Sequence, residues 1–273
     1  MTAANLLGTI VAATRRAVEV RQQRRPLAAV TSESTRKADG AGFAAALREH
    51  EPPRIIAECK RRSPSNGILR RDYDPGAHAA AYAEAGAAAI SVLTEPTFFD
   101  GSPEHLEQVR AAVDIPILRK DFIVTDYQLA EAAALGAEAA LLIVAALSDA
   151  ELRSLLRTCD QLGLAALVEV HDVEEAARAV AAGAAIVGVN CRDLRTLAVD
   201  PAVHESVARA LPVGVIRVAE SGIRTAGDLE RLSRAGYEAF LVGERLIAQP
   251  DPGAALRELT QSAGVRRELP RKA

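Results

Sequence analysis

From residue 54 onward, apolar runs of five or six residues alternate with longer stretches of mixed polarity. Near the midpoint of each repeat a glycine follows a helix-like segment and precedes a small-residue linker and an apolar run. These glycines are Gly86, Gly136, Gly183 and Gly236, about fifty residues apart. A glycine suits the left-handed position that ends a helix. A strand with its crossover helix needs about half of that interval, so each interval holds two units and the whole pattern predicts eight strands. The four apolar runs outside the glycine motif are Ile55–Lys60, Ile115–Lys120, Ala165–Val170 and Val213–Glu220. Helix starts are predicted between the runs at Asp74-Pro75, Ser102-Pro103, Asp126, Ser148, Asp172, Asp200-Pro201 and Thr225, which are capping residues or a first-turn proline.

Near-continuous apolar strands alternating with helices indicate a parallel sheet covered on both faces. Eight such units in the length available fit a closed α/β barrel of the (β/α)8 or TIM type. A doubly wound open sheet is the competing architecture, but no strand is followed by a glycine-rich dinucleotide fingerprint or a P-loop. Residues 1–50 read as a helical extension, with Leu6, Leu7, Ile10, Val11 and Val18 on one stripe and a second short helix over Phe43–Leu47. Pro26 reads as an interruption and Thr31–Gly40 as a polar loop. The barrel is expected over residues 51–263 and a tail without fixed structure over 264–273.

Composition narrows the function classes. The chain has 273 residues, 49% hydrophobic and 25% charged, with a net charge of −3. No basic face is implied, and an aromatic content of 3% is too low to suggest stacking platforms for nucleic acid. No apolar run has the length of a membrane span, and no charged region precedes the apolar run Leu6–Ala13, so no secretory leader is expected. Cys59, Cys159 and Cys191 are odd in number and without a spacing motif, which predicts reduced thiols and a cytoplasmic location. The five histidines have no paired ligand spacing, so neither a metal nor a cofactor is expected.

Candidate chemistry collects at the strand ends. In a strand, side chains alternate faces, so Ile56, Glu58 and Lys60 share one face while Ile55, Ala57 and Cys59 share the other. A Glu-x-Lys pair at the end of a buried run is either a satisfied core ion pair or part of a site. The later runs favour a site: they end in Lys120, Glu169, Asn190 with Arg192 behind it, Glu220-Ser221-Gly222 and Gly243-Glu244. In barrels of this type function sits at the carboxyl ends of the strands. Only four of the 33 basic residues are lysine, and two of these, Lys60 and Lys120, end apolar runs. Lysine has an amine whose pKa the surroundings can tune, whereas arginine stays charged. Lys120 and Glu169, from different strands, therefore predict acid–base chemistry. Ser221-Gly222 and Gly243-Glu244 follow the seventh and eighth strands, where such barrels hold phosphate through backbone N–H groups. Taken alone, these residues predict proton-transfer chemistry on a phosphorylated small molecule.

The motifs Ile56–Ser65, Phe98–Ser102, Leu118–Phe122, Leu167–His171, Asn190–Leu194 and Ala219–Ile223 resemble the indole-3-glycerol-phosphate synthase family over about residues 3–260. The resemblance implies cyclisation of 1-(2-carboxyphenylamino)-1-deoxyribulose 5-phosphate with loss of carbon dioxide and water, in tryptophan biosynthesis, without metal or cofactor. It implies Lys120 as the general acid at the ketone oxygen and Glu169 as its acidic partner. Glu58 and Lys60 would assist the later dehydration, with Lys60 also near phosphate and carboxylate. Asn190 and Glu220 would orient substrate, Ser63 and Arg192 would meet the anthranilate carboxylate or its surroundings, and Ser221, Gly222, Gly243 and Glu244 would cradle phosphate. Cys59, Asn66 and Arg245 depart from the family pattern. Packing alone is expected of Cys59, an altered first loop of Asn66, and either an added phosphate contact or crowding of Arg245. The implied partner is the small substrate, with the chain a monomer or weak homodimer. A phosphosugar isomerase and a catalytically silent scaffold are the competing readings: the first lacks the Glu58, Lys60 and Lys120 set, and the second predicts a lost strand-end charge, which is not seen.

Overall fold

The computed structural model describes residues 6–33, 37–194 and 196–261; the tail expected over 264–273 lies outside them. Eight parallel strands close into a barrel: β1 (Arg54–Cys59), β2 (Ala89–Leu93), β3 (Ile117–Lys120), β4 (Ala139–Ile143), β5 (Ala165–Val170), β6 (Ile186–Asn190), β7 (Ile216–Glu220) and β8 (Ala239–Val242). Each pairs with its chain neighbours, and β1 closes on β8 with Ile56 opposite Leu241.

Side-chain alternation divides the apolar residues into two layers. Ile56, Leu118, Leu141, Leu167, Ile186, Val218 and Leu241 fill the barrel interior. Ile55, Ala57 and Cys59 face outward into the layer beneath the surrounding helices. The parity predicted for β1 therefore holds, and Cys59 is a packing residue. The same parity puts Glu58, Lys120, Glu169 and Glu220 two residues beyond an inward apolar side chain, so they form the next layer up. Phe43 and Leu47, from the helix Gly40–Glu49, are fully buried against the interior cluster. This helix lies so close to the start of β5 that a Cβ on Gly40 would sit 2.3 Å from the Ala165 nitrogen.

Helix starts follow the sequence signals. The side chains of Asp74, Ser102, Ser148, Asp172 and Thr225 each accept a backbone N–H from the first turn. Asp126 is instead the first helical residue, with Thr125 at the cap position. Strand β3 begins at Ile117 and β7 at Ile216, later than expected; Val213 is 99% exposed and Gly214 turns the chain with φ +96°. A helix over Leu27–Glu33 was missed. Pro26 does interrupt, since the preceding helix ends at Arg24, but it also opens the next one, because proline lacks only an N–H that a first turn leaves unused, and Val30 buries fully against Val18 and Tyr127.

The first helix, Leu6–Arg24, packs Leu7 and Ile10 into the same interior cluster. Its far end is tied by charge. Arg21 donates to both oxygens of Glu131, at 2.9 and 3.2 Å. Glu131 also meets Arg119 at 3.3 Å, and Arg119 is paired with Asp121 at 2.9 Å. Arg119 is almost fully buried and also donates to Thr94 and the Gln128 carbonyl, so its charge is satisfied. The chain linking helix Leu6–Arg24 to the barrel thus ends beside Lys120.

Phe43 anchors the end of the barrel opposite the charged layer. Phe43→Ala should cost about 3–5 kcal/mol of stability in urea unfolding. Turnover at moderate temperature should stay close to the parent's. A stability loss below about 1 kcal/mol would show that the helix is not needed to close the barrel.

Candidate active site

Above the apolar interior lies a cavity of about 930 Å³. Its lining includes every candidate site residue: Glu58, Lys60, Ser63, Lys120, Glu169, Asn190, Arg192, Glu220, Ser221, Gly222, Gly243 and Glu244. Leu6 and Ile10 of the first helix, with Phe99, Phe122 and Leu194, supply an apolar wall.

The strands bring the charged groups together in the centre. Lys120 Nζ donates to Glu169 Oε2 at 3.0 Å and Glu220 Oε2 at 2.9 Å. Lys60 Nζ lies 2.6 Å from Glu58 Oε2. Glu58, Glu169 and Glu220 are each at most 2% exposed. Burial alone would lower the Lys120 pKa, but the carboxylates of Glu169, Glu220 and Glu58 outweigh it and raise it above the ordinary lysine value. The two glutamates beside Lys120 move apart. Burial pushes Glu220 up to about 8, only partly offset by Lys120. Glu169 is equally buried but has two cationic partners, Lys120 and His171, which hold it below the usual carboxylate range.

His171 was not among the sequence candidates. Its Nε2 lies 3.3 Å from Glu169 Oε1, an ion-pair contact too poorly aligned to be a hydrogen bond. Its Nδ1 lies 3.0 Å from Glu175 Oε2. The signal was present: His171 continues the inward parity of Leu167 and Glu169, and Glu175 stands one helical turn beyond it.

Two glycines make room for these carboxylates. A Cβ on Gly188 would lie 2.1 Å from Glu220 Oε1, and one on Gly243 would lie 2.2 Å from Glu58 Oε2. Gly243 is thus required by Glu58 as well as being a candidate for close ligand approach. Gly188 was not singled out from the sequence, because its partner is set by the neighbouring strand.

The polar rim is built on β6, β7 and β8. Asn190 Oδ1 accepts from Ser221 Oγ at 2.8 Å and from the Arg192 backbone N–H at 3.0 Å. Ser221 and Gly222 both have left-handed backbones, φ 64° and 70°, an arrangement that non-glycine residues seldom adopt. The Arg192 guanidinium donates to the Leu197 carbonyl at 3.2 Å. Glu244 starts the short helix Glu244–Ile247, and its carboxylate accepts from Asn66 Nδ2 at 2.5 Å. Asn66 belongs to the loop after β1, where Arg62–Ser63 pairs with Gly67–Ile68, and its backbone N–H is bound by Ser63 Oγ at 3.2 Å. Arg245 also lines the cavity, with its guanidinium 3.3 Å from the Arg224 carbonyl and 3.6 Å from Glu258. Arg224 also lines the cavity.

The arrangement combines an apolar wall, a charged centre and a polar rim with a left-handed turn at Ser221-Gly222. It suits a ligand with a flat apolar part and an anionic end, on which protons are moved.

The profile of the indole-3-glycerol phosphate synthase family matches residues 7–259. The chain is 47% identical to indole-3-glycerol phosphate synthase of Mycolicibacterium smegmatis, with both chains covered in full. It is 46% identical to that of Beutenbergia cavernae over 254 residues, 93% of this chain and 94% of the relative. Among solved structures, N-acetylmannosamine-6-phosphate 2-epimerase from Clostridium perfringens is similar with a TM-score of 0.57 at 16% identity, over 73% of this chain and 88% of that one, a likeness of fold alone. With a family match over nearly its whole length and relatives near half identity, the chain belongs to the indole-3-glycerol phosphate synthase family.

Proposed function

We propose that the cavity carries out the family reaction with Lys120 and Glu169 at its centre. The chain is a carboxy-lyase of tryptophan biosynthesis. It converts 1-(2-carboxyphenylamino)-1-deoxyribulose 5-phosphate to indole-3-glycerol phosphate with loss of carbon dioxide and water. The observation that carries the residue assignment is the single ammonium of Lys120, 13% exposed, held between the buried carboxyl groups of Glu169 and Glu220.

The chemistry sets three demands. The ring carbon that bears the carboxylate attacks the ketone carbon, and the ketone oxygen becomes an alkoxide. Carbon dioxide then leaves and returns its electron pair to the ring. Finally hydroxide leaves the former ketone carbon while a proton leaves the adjacent methylene, giving water and the indole. Lys120 is charged at working pH, so it donates a hydrogen bond to the ketone oxygen and gives up a proton once that oxygen is an alkoxide, a stronger base than an amine. Glu169, held ionised, accepts the proton in the final step. Glu58 and Lys60, 2.6 Å apart, assist departure of the hydroxide, and Lys60 also balances the substrate's anionic groups. Asn190 and Glu220 orient the sugar chain, and Ser63 and Arg192 meet the aromatic carboxylate or its surroundings. Ser221, Gly222, Gly243 and Glu244 receive the phosphate through backbone N–H groups. The bond from Asn66 to the Glu244 carboxylate supports a backbone role there, since it keeps that charge occupied.

The extension over residues 1–50 belongs to this unit through the cavity wall of Leu6 and Ile10. The three cysteines are free thiols, in keeping with a reducing cytoplasm. Among the described residues no helix is long and apolar enough to cross a membrane. A monomer or weak homodimer acting without metal or cofactor completes the reading.

The direct test is indole fluorescence from purified protein supplied with the substrate alone; absence of product would remove the assignment. Lys120→Arg should lose about 10²-fold or more in kcat, nearly as much as Lys120→Ala, because arginine keeps the charge but does not release a proton. Turnover near the parent's would make Lys120 purely electrostatic. Glu169→Gln keeps the shape without the titratable group and should lower kcat by roughly 10²–10⁴-fold with the fold intact by circular dichroism; normal turnover would exclude it. Gly243→Ala should lower kcat as well as raise KM, by up to about 10²-fold, because the added carbon displaces Glu58. A change confined to KM would limit Gly243 to phosphate approach.

A further inference from the structure

Lys120 and His171 bring two positive charges to three carboxyl groups, Glu169, Glu220 and Glu175, one charge too few. Glu169 and Glu220, each within 3.0 Å of Lys120 Nζ and both buried, retain a proton between them. A reaction that needs one defined base requires that proton to have a fixed place. The surroundings of the two groups differ. Glu220 Oε1 has no hydrogen-bond partner, and the strand beside it presents Gly188, which supplies no donor. An ionised oxygen left so is costly. Glu169 has a second cation, His171 Nε2, at 3.3 Å from its other oxygen.

His171 is itself held. Its backbone N–H donates to Glu175 Oε2 at 2.8 Å, and its Nδ1 lies 3.0 Å from that oxygen. Glu175 is fixed in turn in the first turn of helix Val173–Ala182, where its backbone N–H is bound by the Asp172 carboxylate at 2.7 Å. With a carboxylate facing each ring nitrogen, the ring retains both protons. Burial alone would lower its pKa, but Glu169 and Glu175 outweigh this and raise it to about 10.

We propose that His171 is a positioning residue that settles which of the two glutamates is ionised: its imidazolium, braced by Glu175, holds Glu169 as the carboxylate and leaves the shared proton on Glu220. The proposal rests on the reading of Glu169 as the base. The charged groups that bear on the pair are Lys120 from β3, Glu220 from β7, Glu58 with its partner Lys60 from β1, and Glu175 from the helix after β5. His171 changes the balance because it faces Glu169 and not Glu220.

The test is a carbon-13 titration of the full chain labelled at the glutamate carboxyl carbon, without substrate. Glu169→Gln and Glu220→Gln assign the two resonances. In the parent the midpoints should lie far apart, with Glu220 above and Glu169 below the ordinary carboxylate range. His171→Asn removes the cation, so the Glu169 midpoint should rise and the separation narrow by about 1–3 pH units. The acid limb of the kcat–pH profile should move to higher pH in the same variant, with kcat down on the order of 10-fold and KM changed by no more than about threefold. Glu175→Gln, which leaves the imidazole in place, should narrow the separation by less, and it decides the matter if His171→Asn does not fold. An unchanged separation in the folded variant overturns the proposal. If the separation narrows but Glu169→Gln turns over normally, the base assignment fails and the charge assignment by His171 stands.

Discussion

The charged layer above the barrel interior depends on how an ammonium is kept in a place with little water. Lys120 extends inward from β3 over Leu118, and an isolated cation there would lose its proton. Glu169 and Glu220, on two other strands at 3.0 and 2.9 Å, prevent that, the first as countercharge and the second as hydrogen-bond acceptor. The closed barrel makes this possible. An open sheet would place β3 and β7 far apart, whereas closure aims both at one axis. Lys120 therefore needs the fold for its charge, and Glu169 needs Lys120 and His171 for its own. Such a cluster resists rearrangement, which is useful where groups must meet a transition state already oriented.

The arginine chain on the outer face of β3 works by the same rule with a different result. Arg119 is one residue from Lys120 and so points the other way. There it meets Asp121 and Glu131, and Glu131 also holds Arg21 of the first helix. Two basic residues of opposite parity thus anchor one strand end from both sides. The inward one is a lysine able to exchange its proton; the outward one is an arginine whose planar donors are all engaged in holding parts together.

Parity explains how much of this was legible in the sequence. Strand alternation is fixed by backbone geometry, so the inward series ending in Glu58, Lys120, Glu169 and Glu220 could be read directly. His171 belongs to the series but lies one residue past the end of β5, where strand periodicity no longer fixes a side chain's direction. The starts of β3 and β7 were placed too early because Ile115 and Val213 are apolar, although Val213 faces solvent before a turn. The helix Leu27–Glu33 was hidden by Pro26, which is as good a helix opener as a breaker. Gly188, and the contact of Gly243 with Glu58, were beyond local reading: what each glycine accommodates is a carboxyl group on the neighbouring strand, and that pairing exists only once the register is set.

The two ends of the barrel also divide the energetic labour. At the amino ends of the strands, Phe43 and Leu47 add apolar burial that is indifferent to pH and to ligand. At the carboxyl ends, burial is spent on charges that cancel one another, which contributes little net stability but fixes protonation. A mutation at the first end is felt mainly as unfolding, and one at the second mainly as a changed distribution of protons. The first helix spans the distinction, since Leu7 and Ile10 join the apolar interior while Leu6 and Ile10 also wall the cavity. Displacing that helix would expose apolar surface and admit water to Lys120 and its carboxylates together. Closure of the site and stability of the extension are therefore one interaction, and a ligand that fills the cavity should strengthen both.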